Sequence, residues 1–249
     1  MKFAWPVCFR RTVLFVYAGL LALTHPAAVE ERTIVAGIAL GFPPYQYQGE
    51  NGQPTGIDYE IAQRVFKRLN LEVRFVQNQW NDLLGAMRFA SGPDLLVGAE
   101  INAERRIFFA FTTPYYSRHI AIFVQAQGPI REVEDLYGKL VARDRQSFVE
   151  RELYNNRERI RLMPTTSKEE SFRKLMRNEV VAVIAPLEVG HYLARELKMP
   201  VRTIGKVDPG SPVAFAVRKG DTELLQALNT ALEDLKASGE IERIFARYR

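Results

Sequence analysis

Short apolar runs rich in β-branched residues alternate with segments of helical periodicity through most of this 249-residue chain. "TIVAGIAL" at residues 33–40 has the composition of a buried strand. "IDYEIAQRVFKRLN" follows it with Ile61, Val65 and Leu69 at four-residue spacing, and Asp58 is expected to cap that helix. The alternation continues to the C-terminus and predicts an α/β fold with helices on both faces of a sheet.

The first 28 residues have the pattern of an export signal. Basic residues precede an apolar run at residues 13–23, which is shorter than the roughly 20 residues that span a bilayer. Cleavage is predicted after Ala27 or Ala28, and the paired Arg10 and Arg11 leave a twin-arginine route open beside the ordinary one. We therefore expect the mature chain in the periplasm.

Composition excludes several classes of function. Cys8 lies before the apolar run, so the mature chain keeps no cysteine for a disulfide or a thiolate site. Removing residues 1–28 leaves 31 basic and 29 acidic residues, a net charge of +2 that does not favour nucleic acid. His119 and His191 stand alone, and the enzyme motifs HExxH, GxSxG and the P-loop are absent. We expect no catalytic residue, no metal and no cofactor.

A series of motifs gives the chain a resemblance to one family. "GAEINAER" from Gly98 is followed by "FTTPYY" from Phe111, so that Arg105 lies six residues before Phe111. "GFPPYQY", "GIDYEIAQRV", "WNDLLGAM", "DLYGKLVA" and a long C-terminal match complete the series in order. Together they resemble the bacterial extracellular solute-binding proteins of family 3, the polar amino-acid receptors of ABC transporters.

The resemblance implies a type II periplasmic-binding-protein fold, with two α/β lobes joined by two crossing strands near residues 117–124 and 213–217. It also implies the domain bounds: lobe 1 at residues 29–118, lobe 2 at residues 119–215, and a return to lobe 1 at residues 216–249. We expect the protein to be a monomer that binds its ligand by closing the lobes.

Site residues are carried over from the family motifs. Arg105 matches the arginine that grips the ligand's α-carboxylate, a role suited to two parallel charge-assisted hydrogen bonds. Gly98 would allow close approach of the backbone. Four other residues match ligand-contacting positions: Phe42, Tyr45, Trp80 and the hydroxyl donor Ser147. The alternatives are a surface ion pair between Arg105 and Glu104 or Glu100, and core packing of the aromatic rings.

Two positions depart from the family pattern. Glu100 replaces the usual threonine or serine, and Pro186 replaces the aspartate that binds the ligand's amine. The α-ammonium of a standard amino acid thereby loses its expected partner, and a buried cation without a partner is costly. Either Glu100 supplies the missing acid, or the ligand is a carboxylate without an α-amino group.

The sequence therefore predicts a periplasmic solute-binding protein, not an enzyme, that captures a small, carboxylate-bearing, amino-acid-like ligand for an inner-membrane ABC permease. One alternative is a periplasmic dehydratase resembling cyclohexadienyl dehydratase, for which Glu100 and Glu188 are the candidate acids. Another is a sensory module that docks on a membrane receptor.

Overall fold

The computed structural model describes residues 33–144, 159–205 and 209–248, together with Met1. The predicted export signal at residues 1–28 and the candidate residue Ser147 lie outside these residues. From residue 33 onward the described chain belongs to one compact unit, residues 32–249.

Strands and helices alternate along the chain, as the sequence predicts. The strands are β1 (Ile34–Ala39), β2 (Gly41–Phe42), β3 (Gln46–Gln48), β4 (Pro54–Thr55), β5 (Val73–Asn78), β6 (Leu95–Glu100), β7 (Phe109–Phe111), β8 (Tyr116–Arg118), β9 (Ile120–Gln125), β10 (Leu140–Asp144), β11 (Arg161–Thr165), β12 (Ala182–Pro186), β13 (Val201–Ile204) and β14 (Ser211–Arg218). The helices are α1 (Ile57–Leu69), α2 (Trp80–Arg88), α3 (Ala103–Phe108), α4 (Lys168–Met176), α5 (Leu187–Glu196), α6 (Thr222–Ala237) and α7 (Glu240–Ala246).

Two main sheets organise the lobes. The first has the order β5-β1-β6-β14-β7, with β8 also paired to β14, and the second has the order β11-β10-β12-β9-β13. β1 is parallel to β5 and β6, while β14 is antiparallel to β6, β7 and β8. In the second sheet β10 is parallel to β11 and β12, and β9 is antiparallel to β12 and β13. These mixed sheets and their intervening helices confirm the two-lobe α/β fold.

Burial follows the apolar pattern of the sequence. β1 is almost entirely buried, as expected for a strand covered on both faces. α1 places Ile61, Val65 and Phe66 in the core. One apolar face of α6 is also buried, namely Leu224, Leu228, Ala231 and Leu235. α6 packs on α1, so the C-terminal segment contacts the first lobe.

The chain passes from one sheet to the other in two places. Arg118 ends β8 in the first sheet and Ile120 begins β9 in the second. β14 pairs with β8 from its first residue, Ser211. The lobe bounds at residues 29–118, 119–215 and 216–249 stay a prediction, and this pairing favours a return before Ser211.

Among the described residues, no helix combines the length and the apolar character needed to cross a membrane.

Candidate ligand-binding site

A cavity of about 230 Å³ lies between the two lobes. First-lobe residues that line it include Phe42, Gln46, Trp80, Gly98, Glu100, Arg105 and Arg118, and second-lobe residues include Ile120, Lys168 and Pro186. We call this space the interlobe cavity. Pockets for drug-sized molecules measure roughly 300–1,000 Å³, so its volume suits a smaller ligand. A larger depression of about 760 Å³ lies along α5 and the segment after it, but the first lobe contributes nothing to its lining.

Five of the seven predicted site residues line the interlobe cavity: Phe42, Trp80, Gly98, Glu100 and Arg105. Tyr45 does not line it. It is buried beneath the cavity, with its ring stacked on that of Phe42 at a centroid distance of 5.6 Å. Ser147 falls outside the described residues. The role of these residues in ligand binding stays a prediction.

Arg105 is held in position by the start of α3. Asn102 caps this helix, and its side-chain oxygen accepts a hydrogen bond from the Arg105 amide at 2.8 Å. The Arg105 Nη1 donates to the main-chain oxygen of Glu100 at 2.9 Å. Its guanidinium carbon lies 5.4 Å from the ring centroid of Trp80. Among the described residues no carboxylate forms an ion pair with Arg105, which differs from the surface pairing considered from the sequence.

Glu100 has a partner that sequence reasoning missed. Its carboxylate accepts a hydrogen bond from Arg118 Nη1 at 2.9 Å. The ion pair spans the end of β6 and the end of β8, which are both bonded to β14. The charge of Glu100 is therefore compensated within the protein by Arg118 and not by Arg105.

Arg118 is the most enclosed charge of the cavity wall, with 5% of its surface exposed. Its Nη2 donates to the hydroxyl oxygen of Tyr116 at 2.6 Å and lies 3.5 Å from the Asp58 carboxylate. Its guanidinium carbon is 4.9 Å from the ring centroid of Phe42 and 4.4 Å from that of Tyr45. Burial alone would lower the pKa of Arg118, but the surrounding Tyr116, Glu100 and Asp58 raise it well above its usual value. Arg118 is therefore a permanent cation.

Asp58 anchors this network from α1. It is completely buried and accepts hydrogen bonds from Gln46 Nε2 at 2.9 Å and from the hydroxyls of Tyr115 and Tyr116 at 3.3 Å. Burial raises the pKa of Asp58, and the charge of Arg118 opposes that rise. The prediction that Asp58 caps α1 is wrong. Gly56 occupies the cap position without a side-chain bond, because Asp58 points into the core network.

Gly98 is needed by the same network. Its φ is +70°, and a Cβ atom there would lie 2.0 Å from Gln46 Nε2 and 2.2 Å from Asp58 Oδ2. Gln46 in turn donates to the carbonyl oxygen of Val97 at 3.0 Å. The close approach at Gly98 therefore serves buried protein groups, whereas the sequence suggested close approach to the ligand.

Of its described residues, the second lobe contributes one cation and apolar surface to the cavity. Lys168, at the start of α4, has its Nζ 5.2 Å from the ring centroid of Phe42 across the cavity. Pro186, at the end of β12, lines the cavity, and by the sequence resemblance it is the position expected to hold the amine-binding aspartate. Glu188 lies instead in the lining of a separate cavity beside Tyr116 and α7.

Sequence reasoning missed Arg118, Asp58, Gln46 and Lys168. The available signal was the pair of charges Asp58 and Arg118 in otherwise apolar segments. Their 60-residue separation concealed the contact.

Comparison with known proteins identifies the family. A model of the bacterial extracellular solute-binding proteins, family 3, matches residues 34–249. The chain belongs to this family. The resemblance inferred from the motifs is thereby confirmed, and it extends over all the strands and helices described above.

Several relatives and solved structures are similar along nearly their whole length. The putative ABC transporter arginine-binding protein 2 of Escherichia coli strain K12 is 28% identical over 235 residues, covering 93% of this chain and 96% of that protein. The structure of an ancestral arginine-binding protein bound to arginine is 28% identical, with a TM-score of 0.73, and covers 88% of this chain and 99% of that one. A histidine kinase sensor domain with similarity to periplasmic binding proteins is 26% identical, with a TM-score of 0.74 and coverage of 88% and 96%.

For this member of family 3, the interlobe cavity is the candidate ligand-binding site. It offers guanidinium and ammonium groups, aromatic rings and one paired carboxylate. In the described part of the chain, no three His, Cys, Asp or Glu side chains are grouped as a metal ion would require.

Proposed function

We propose that this protein is a periplasmic solute-binding protein that captures a small, carboxylate-bearing solute between its two lobes and delivers it to an inner-membrane ABC permease. The observation that carries the proposal is the position of Arg105 in the wall of the interlobe cavity. We expect the protein to act as a monomer after removal of residues 1–28.

Arg105 suits the capture of a carboxylate. A planar guanidinium presents paired donors that match the two oxygens of a carboxylate. One of its Nη atoms is held by the Glu100 carbonyl, and the guanidinium lies beside the Trp80 ring. A group that is already oriented loses less side-chain entropy when the ligand arrives.

Delivery to a transporter is supported by the relatives. Arginine-binding protein 2 of Escherichia coli is named as a component of an ABC transporter and matches this chain over 96% of its own length. Because the match covers nearly the whole of that relative, we propose the same kind of partner for this chain.

A sensory role is the second candidate, supported by the similarity to a histidine kinase sensor domain. Ligand capture in the interlobe cavity would be the same in both roles. Pull-down with the membrane protein encoded beside this gene separates them, since a permease supports transport and a kinase supports sensing.

The dehydratase alternative is not favoured. Its two candidate acids do not converge, because Glu100 lines the interlobe cavity and Glu188 lines the cavity beside Tyr116. The Glu100 carboxylate is also engaged by Arg118 Nη1 at 2.9 Å, so it is already part of an ion pair within the protein.

The experiment that tests the proposal compares Arg105→Ala with Arg106→Ala by isothermal titration against a panel of amino acids and their 2-oxo acids. Arg106 is an exposed neighbour with the same charge and does not line the interlobe cavity, so it is a matched control. We expect Arg105→Ala to weaken the best ligand of the panel by about 100-fold or more, in line with the roughly 2–5 kcal/mol of a truncated buried charge pair. Unchanged affinity in Arg105→Ala, or an equal loss in Arg106→Ala, would contradict the assignment.

A further inference from the structure

The charges around the interlobe cavity are unequal. Arg105, Arg118 and Lys168 line it as cations, and among the described residues of its lining Glu100 is the sole acid. Asp58 lies behind the wall and is completely buried. Counting both acids, the site carries one net positive charge, which favours an anion.

Glu100 is already engaged by the protein. It lies 2.9 Å from Arg118 Nη1, and Arg118 is 5% exposed. The cation of Arg118 offsets the charge of Glu100, and the Asp58 carboxylate, the other acid beside Arg118, lies at 3.5 Å. A carboxylate whose charge is already offset by a guanidinium attracts a ligand's ammonium group less strongly.

Among the described residues of the second-lobe wall, none offers a substitute acid. Pro186 has neither a charge nor an N–H donor, and Ile120 beside it in the lining is apolar. Lys168, the charged residue that the second lobe places there, is a cation and would repel an ammonium group. An amino acid with its carboxylate at Arg105 would therefore direct its α-ammonium towards cations and apolar surface.

The aromatic rings reinforce this preference. Phe42 has two cations against it, with Arg118 at 4.9 Å and Lys168 at 5.2 Å from its centroid, and Trp80 has Arg105 at 5.4 Å. These rings already make cation–π contacts with guanidinium or ammonium groups of the protein. They are less available to a cationic ligand side chain.

We propose that the solute is a small carboxylate without an α-ammonium group, such as a 2-oxo or 2-hydroxy acid, and that the site discriminates against amino acids, including arginine. This inference rests on the proposed function and specifies its ligand class. Arg105 binds the carboxylate, Lys168 adds positive charge beyond the compensated Glu100–Arg118 pair, and Pro186 places no acid where it could hold an amine.

The test is isothermal titration of the purified protein with matched pairs that differ in one group. Each pair is an amino acid and the 2-oxo acid with the same side chain, and the pairs include alanine with pyruvate, glutamate with 2-oxoglutarate, and arginine with its 2-oxo analogue. We expect at least one 2-oxo acid to bind at least tenfold more tightly than its amino acid. An amino acid that binds as tightly as its 2-oxo partner, or more tightly, overturns the ligand class and leaves the proposed function standing.

A substitution at Pro186 tests the cause of the preference. Pro186→Asp restores an acid to the second-lobe wall and should shift the ratio of the two affinities at least tenfold towards the amino acid. Pro186→Ala is the matched control, since it removes the same ring without adding charge, and should keep the wild-type ratio. An equal ratio in the Pro186→Asp variant and the wild type overturns the assigned cause.

A second pair of variants tests the positive charge. Lys168→Gln should weaken the preferred 2-oxo acid several-fold, whereas Arg173→Gln should not. Arg173 lies on the same helix but is exposed and pairs with Glu169 at 2.7 Å. Equal effects of the two variants would mean that Lys168 acts through net charge alone. If no acid of either series binds, the proposed function fails together with the ligand class.

Discussion

At the scale of single residues, the site is organised by Arg118, which accounts for the unusual glutamate at position 100. A carboxylate in the wall of a carboxylate-binding cavity would repel the ligand if it were uncompensated. Arg118 compensates it at 2.9 Å and is itself held by Tyr116 and, at a longer distance, by Asp58. Glu100 and Arg118 therefore form one unit with little net charge, and Arg105 is the cation of the first-lobe wall that we propose for the ligand.

Gly98 gives the sharpest prediction at this scale. Gly98→Ala should destabilise the protein by at least about 2 kcal/mol, because overpacking costs about 1–3 kcal/mol and a left-handed residue with a Cβ costs about 1–2 kcal/mol. The matched substitution is Gly85→Ala in α2, where a Cβ meets nothing within 4 Å. It should stabilise the protein by about 0.5–1 kcal/mol, since glycine is a poor helix former. Urea denaturation of both variants measures the difference, and effects of the same sign would contradict the account.

At the scale of elements, the N-terminal caps of two helices position charged residues of the cavity. Asn102 starts α3 and positions Arg105, and Ser167 starts α4 and positions Lys168. α4 has the first half of a capping box, in which Ser167 Oγ accepts from the Glu170 amide at 3.1 Å. The second half differs. Glu170 accepts from the amide and the hydroxyl of Thr166, one residue before the cap.

This cap should make the stability of α4 depend on pH. The hydrogen bonds from Thr166 lower the pKa of Glu170 below its ordinary value of 4.5. A lowered pKa in the folded state means stabilisation above about pH 4.5, which is lost as the pH falls through the lowered value. Glu170→Gln should therefore lower the melting temperature at pH 7, and the difference from wild type should shrink below pH 4.5.

The control for this prediction is Glu169→Gln on the same turn. Glu169 makes an exposed i,i+4 pair with Arg173, and such pairs contribute little. Thermal melts of the wild type and both variants between pH 3 and pH 7 measure the effect. A Glu170→Gln difference that is independent of pH would show that the cap does not depend on the charge.

The sequence was most informative about elements that are determined by residues close together in the chain. The four-residue spacing of Ile61, Val65 and Leu69 predicted α1, and Ile61 and Val65 are buried in it. Arg105 was found through a family motif of adjacent residues, and it lines the interlobe cavity. The contacts of Arg118 could not be predicted, because they join residues 58, 100 and 118 through sheet pairing and helix packing. The role of Gly98 was missed for the same reason.

At the scale of the whole molecule, contacts between the lobes surround the interlobe cavity. Tyr47 of β3 meets Tyr192 of α5 with ring centroids 5.9 Å apart, and Lys168 meets Phe42. Arg195 Nη2 of α5 donates to the main-chain oxygen of Tyr248 at 2.7 Å. A ligand that contacts both walls adds to these contacts, so binding and closure should be coupled.

The measurement that tests the central claim most directly is a crystal structure with the acid of the panel that binds most tightly. The account predicts that its carboxylate lies within about 2.7–3.2 Å of the Arg105 guanidinium nitrogens, with Pro186 and Lys168 of the second lobe closing over it. The claim would be contradicted by a carboxylate that does not contact Arg105, or by a ligand bound in the depression along α5.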